Sequence, residues 1–310
     1  MGAPNTDSND PSVGTLIFML ALVLVTFAVV AALVTPGLGI SSSVSTEEQT
    51  TGAEAGEEMP GEDANDSEDA SESAFDESVF LAQPSAFGGT AAVTLEPEEG
   101  ATFDNETIPG WIVVDGPLLE DVELEAETSV EGGISAETVN DSTLSLTDDS
   151  RVGGPIHLSG LDDGELELDD DASVGGDVWL GVLQGGSEVE LEDDATIDGS
   201  MLVEGVSDGE IELEDESAIG GDLVIETIDE DGEVELEDDV AVDGDLRVGT
   251  LNGTLELDDD VAIGGNVIVD HVGEDGELSI DDDVEIGGEL IVENNDGDVD
   301  VGDDMEGDDE

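Results

Sequence analysis

From about Gly100 onward the chain repeats one short unit of about 22 residues: an acid between two apolar residues, an acidic corner, then Ile/Val-x-Gly. One copy reads Leu166-Glu167-Leu168, Asp169-Asp170-Asp171, Val174-Gly175-Gly176 and Val178-Trp179-Leu180. A later copy reads Leu255-Glu256-Leu257, Asp258-Asp259-Asp260, Ile263-Gly264-Gly265 and Val267-Ile268-Val269. A unit this short cannot enclose an apolar core by itself, so its copies must stack on one another.

The register follows from one origin, the Ile/Val of Ile/Val-x-Gly, which falls at Ile108, Val130, Val152, Val174, Ile197, Ile219, Val242, Ile263 and Ile286. Two residues later stands a glycine in every copy: Gly110, Gly132, Gly154, Gly176, Gly199, Gly221, Gly244, Gly265 and Gly288. Such a column predicts either a corner with positive φ or a close approach of backbones. Apolar pairs with period two precede the origin (Leu144/Leu146, Ile211/Leu213) and follow it (Ile156/Leu158, Leu223/Ile225), and period two is the mark of a strand. Three such sides and a loop make one coil of a triangular prism. Variation in repeat length lies between the origin and the next apolar pair, so that stretch is read as carrying the loop. The expected fold is all-β, a parallel β-helix of about nine coils over residues 89–303. An antiparallel sandwich would not need glycine at the same place in every unit.

Acidic residues number 87 against two Lys and Arg. Files of corner acids are expected, such as Asp148, Asp170, Asp193, Asp215, Asp238, Asp259 and Asp282. Two carboxylates about 4.8 Å apart repel by about 0.9 kcal/mol at the dielectric of water. At about 1 M salt the Debye length shrinks to roughly 3 Å and the strain is largely screened. The composition is similar to that of proteins from salt-loving archaea, and the acid reads as solvation by bulk cations. No EF-hand loop or glycine-rich calcium nonapeptide is present, and no metal or cofactor site is expected. With no cysteine, disulfides and thiolate metal sites are excluded.

Outside the repeats, residues 1–12 form a polar tail and residues 13–36 an uncharged, mostly apolar stretch closed by Pro36. That stretch is long enough for one transmembrane helix and lacks the basic start of a cleaved signal, so a single-pass anchor in the cell membrane is expected. Residues 37–88 form an acidic, Ser/Thr/Gly-rich linker expected to be disordered. Near its end stand Phe75, Val79, Phe80, Leu81 and Phe87, able to cap the first coil or cover an apolar side. Residues 304–310 form an acidic tail. Four sequons begin at Asn65, Asn105, Asn140 and Asn252, giving a slight lean to an extracellular β-helix.

The outward residues tell the three sides apart. The first carries an acidic ladder including Glu167, Glu190, Glu212, Glu235 and Glu256, and the second is small and flat, with Ala218, Ala241 and Ala262. The third carries Val113, Ser135, His157, Trp179, Leu202, Val224, Arg247, Ile268 and Ile291. A mostly apolar column expected to face solvent on so acidic a chain is the candidate interaction stripe. Its occupant is either another molecule or an intramolecular cover, the linker residues Phe75 to Phe87 or a local loop. Arg247 and Arg151 read as local ion-pair partners.

Catalytic readings find little. Hexapeptide-repeat acyltransferases use a histidine base, but neither His157 nor His271 has a matching constellation. Grouped carboxylates mean nothing where acids are this common. No phosphate loop or nucleophile elbow occurs, and the field would repel nucleic acid.

The three six-residue sides, the short N-terminal extension and the Ile-Gly-Gly-Asp-Leu-Val-Ile segment at residues 219–225 resemble the bactofilin group of polymer-forming cytoskeletal proteins, including haloarchaeal relatives. The resemblance spans about residues 92–303. It implies a non-enzymatic scaffold, without nucleotide, that assembles end to end and organises cell shape or partners at the membrane. The charge and the acidic tail depart from that group. The competing expectation is a glycosylated cell-surface stalk or adhesin that does not polymerise.

Overall fold

A computed structural model describes residues 90–302. The segments expected to form the anchor, the linker and the acidic tail lie outside the described residues. Among the described residues every regular element is a strand, and no helix is long and apolar enough to cross a membrane.

All strand pairs are parallel and join each residue to its counterpart one repeat away, as in Leu166↔Val189, Val174↔Ile197 and Val178↔Met201. The result is a parallel β-solenoid of about 10 turns, one more than the repeat count predicts. The extra rung is Ala91–Leu95, which pairs with Trp111–Val114 but precedes the first Ile/Val-x-Gly. At about 4.8 Å per rung, ten rungs span about 43 Å.

The second side is a nine-stranded sheet of two-residue strands, from Thr107–Ile108 to Glu285–Ile286. The first and third sides belong to one 19-stranded sheet. They merge because the corner between them is not a plain loop. Leu118, Val139, Leu161, Leu183, Val206, Ile228, Leu251 and Val272 all point into the core there, at 0% or 1% exposure. In the middle of the solenoid the strand continues through this corner, as Met201–Leu213 and Leu223–Leu236. The stretch read as variable therefore contains an extra inward column, and from Val130 onward the variation is confined to the residues after it. Leu251 is followed by the next inward residue at Leu255, but Leu183 only at Val189.

Two corners explain the repeat chemically. At the acidic corner both central residues have positive φ, as in Asp170 (51°) and Asp171 (61°) or Asp193 (46°) and Asp194 (63°). The amide of Ala172 donates to Asp169 O, and that of Ala195 to Glu192 O, closing type I′ turns. Asp tolerates this left-handed conformation better than most residues. Each corner is tied to the next, the amide of Asp171 donating to Asp193 O and that of Asp194 to Asp215 O. Corner Asp is thus favoured by backbone geometry as well as suited to salt, although Ala126 (50°) takes the same conformation in the first such corner.

The glycine column answers the other way. Its members do not have positive φ; backbones approach closely instead. A Cβ on Gly176 would lie 2.7 Å from Pro155 N and 2.8 Å from Gly154 C.

Candidate functional site

The third-side stripe is one continuous column. Register pairs run Val113↔Ser135↔His157↔Trp179↔Leu202↔Val224↔Arg247↔Ile268↔Ile291, headed by Thr94 on the first rung. Most of these side chains are half-buried, but Leu202 and Val224 are exposed by only 8% and 9%. The middle of the stripe is therefore more enclosed than an outward column facing water.

His157 and Trp179, one above the other, stack with ring centroids 4.2 Å apart and planes 17° apart. Burial holds the His157 imidazole below its ordinary pKa of 6.5, and its Nε2 has no hydrogen-bond partner among the described residues. Arg247 turns its guanidinium to Asp270, with Nη2 3.0 Å from Oδ2. Arg151 reaches Asp198 across two rungs at 3.7 Å, with both side chains well exposed. Both arginines are ion-paired, as the sequence suggests.

A hydrogen-bonded side-chain ladder borders the stripe. Asp177 Oδ1 accepts the Ser200 amide, Ser200 Oγ the Asp222 amide, and Asp222 Oδ1 the Asp245 amide. Asp245 Oδ1 then accepts the Asn266 amide, and Asn266 Oδ1 that of Glu289. The neighbouring glycines make room for it: a Cβ on Gly199, Gly244 or Gly265 would strike the Asp177, Asp222 or Asp245 carboxylate. Sequence reasoning missed this ladder, although the recurring Asp, Ser or Asn after the glycine was its signal.

On the stripe's other border, around Trp179, small residues replace acids on two successive rungs, before Glu204 on the next. Ser159 and Gly181 stand next to one another, and Val182 pairs with Gly160 and Gly205 on either side. Val182 is 38% exposed, a large apolar side chain above bare backbone.

The first side holds the acidic ladder in register, Glu167↔Glu190↔Glu212↔Glu235↔Glu256. Partial burial, reinforced by neighbouring carboxylates, pushes Glu190, Glu192 and Glu235 up to about 7. Triads such as Glu188, Glu190 and Glu212 bring carboxylate oxygens within 4.8 Å of one another. Chemically the face can hold protons or a diffuse layer of cations.

At the C-terminal end of the described residues, Asp258, Asp281, Asp282, Asp300 and the backbone at Gly302 line an open depression of about 300 Å³. The hydrogen bond with Asp281 raises the Asp258 carboxyl, while the Asp282 amide, which donates to Asp281 Oδ1, holds Asp281 low. His271, the other candidate base, pairs in register with Thr250. Of the sequons within the described residues, Asn105 is exposed, whereas Asn140 and Asn252 are half-buried and Asn140 Nδ2 donates to Asp162 O.

Comparison with protein-family models, with curated proteins and with solved structures finds no match to this chain.

Proposed function

We propose that this chain is a non-enzymatic β-helical scaffold, held at a membrane by residues 13–36, that assembles by stacking one solenoid end on another. The carrying observation is the contrast between the interior and the ends of the core. Interior inward residues such as Val267, Val269 and Leu278 are fully buried. Their counterparts in the last coil, Leu290, Val292 and Val299, are only partly buried, as are Val93, Ala101 and Phe103 in the first. Each end therefore offers unfilled core and the edge of a parallel sheet. A second copy placed there adds further rungs with the same hydrogen bonding. A head-to-tail contact of this kind does not close on itself, so it grows a filament.

The resemblance to the bactofilin group supports the same reading, although no family model names that group and the likeness rests on the residues alone. Within residues 219–225, Ile219, Leu223 and Ile225 fill the core, and Asp222 links two rungs. Stacking sets acidic columns end to end, so assembly requires cations to screen them. The competing reading, a surface stalk that does not polymerise, is favoured by the exposed sequon at Asn105.

Sedimentation of the full chain in detergent and multimolar KCl tests the proposal. The chain should pellet as polymer above a threshold concentration, and Val292→Asp with Val299→Asp should leave it in the supernatant with unchanged circular dichroism. A chain that stays monomeric at every concentration and salt overturns it.

A further inference from the structure

The third-side stripe ends, at its first rung, where the chain enters the solenoid. Ala91–Leu95 is the head strand of that side, with Thr94 directly above Val113. The residues that lead into this strand are chemically unlike the rest of the chain. From Ser78 to Leu95 no residue is charged, in a protein with 87 acids. Within or beside that run stand Phe75, Val79, Phe80, Leu81 and Phe87, three of the chain's six phenylalanines.

We infer that residues 75–87 are the occupant of the stripe, lying along it with Val79, Phe80 and Leu81 over Val182, Leu202 and Val224. Reach permits this. Phe80 lies eleven residues before Ala91, about 36 Å of extended chain at about 3.3 Å per residue. Val182 is four rungs from the head strand and Leu202 five, about 19 and 24 Å away. Gln83-Pro84 lies between the two apolar groups, and proline keeps the residue before it extended.

Charge selects this occupant over a second copy of the solenoid. The stripe is bordered by Asp177, Asp222, Asp245 and Glu289 on one flank and by Glu204, Glu226 and Asp270 on the other. Two solenoids facing each other here would bring these acidic rims together, whereas residues 75–87 carry only Asp76 and Glu77, and none from Ser78 onward. Around Val182 the small residues Ser159, Gly160 and Gly181 leave that side chain standing clear, with Glu204 the one acid beside it on that flank. Being tethered, the segment also acts at a high effective concentration. This assignment leaves the solenoid ends free and stands whether or not chains stack.

The chain has no cysteine, which makes the test direct. Full-length protein in detergent and multimolar KCl would carry Phe80→Cys with Val182→Cys, or Phe80→Cys with Glu190→Cys. Glu190 lies in the same coil as Val182 but on the acidic side. A short bismaleimide should link the first pair several-fold more than the second. Mixing ¹⁴N- and ¹⁵N-labelled chains should show the linked peptides to be from one chain. Equal linking of both pairs overturns the inference, as do mixed-isotope links at Val182, which would make a second copy the occupant. An independent arm needs no cysteine. Trp111 is 5% exposed, so acrylamide quenching reports mainly on Trp179. Phe75→Ser, Phe80→Ser and Phe87→Ser together should raise that quenching at least twofold, and an unchanged value would contradict the inference.

Discussion

Asp222 and Asp245 occupy the same place in successive coils and are joined through a side chain, Asp222 Oδ1 accepting the Asp245 amide at 2.9 Å. The bond repeats above and below, so these acids pair amides at a corner of the prism. Asp222→Ala should therefore cost about 1–2 kcal/mol, by leaving the Asp245 amide without this partner. Asp222→Asn, which keeps the accepting oxygen, should cost much less. Urea denaturation followed by circular dichroism distinguishes them; equal losses would mean that the bond contributes nothing.

Gly244 lies under that same carboxylate. A Cβ there would strike Asp222 Oδ1 and come within 2.7 Å of Gly221 O, whereas one on Gly186 would meet nothing within 4 Å. Gly244→Ala should destabilise by about 1–3 kcal/mol through overpacking. Gly186, at φ +78°, should lose only the backbone cost of about 1–2 kcal/mol and show no change in neighbouring amide signals. Comparable spectral changes around both sites would refute the close-approach account.

The corner file separates conformation from salt. Asp171, at φ 61°, tolerates the left-handed region because of its short polar side chain. Asp171→Asn should stabilise the solenoid in dilute buffer and do little in multimolar KCl, since only charge is lost. Asp171→Val should destabilise it by about 1–2 kcal/mol at both salts, because a β-branched residue fits that backbone poorly. Thermal melts at two salt concentrations provide the check. Asp171→Val as stable as wild type in high salt would mean that charge alone selects the acid.

The first-side ladder sets a pH dependence. Glu190, Glu192 and Glu235 are raised from 4.5 to about 7, by burial first and neighbouring carboxylates second. A carboxyl raised in the fold is penalised when ionised. Its stabilising influence is complete below the unfolded value and is lost as pH rises through the folded one. Stability in low salt should fall between about pH 4.5 and 7 and change little above that, and Glu190→Gln should flatten the slope. Urea midpoints measured across this range test the sign; a midpoint rising with pH would contradict it.

Much of this architecture can be read from residue spacing. The Ile/Val-x-Gly origin and its apolar pairs locate three sides, and the structure pairs Val174 with Ile197 as that spacing requires. The inward column from Leu118 to Val272 is harder to see, because from Val139 onward it follows the pair before it by three residues rather than two, as Leu183 follows Leu180. That offset breaks the strand period and reads as loop. The first rung, Ala91–Leu95, follows Phe87-Gly88-Gly89 instead of Ile/Val-x-Gly and has no acidic corner before it, and so escapes a repeat count. The stripe is legible because outward positions alternate with inward ones. The enclosure of Leu202 and Val224 is not, since the strand period says which way a residue points but not what lies over it. The acids concealed most: overall composition makes them look interchangeable, whereas Asp222 accepts a backbone amide, Asp171 turns a corner and Glu190 resists ionisation.

Electron microscopy of the purified full chain in detergent and multimolar KCl tests the central claim most directly. Scaffold assembly through the solenoid ends predicts filaments that lengthen with concentration, with a rung spacing of about 4.8 Å along the axis. Uniform rods about 43 Å long that never lengthen would contradict it.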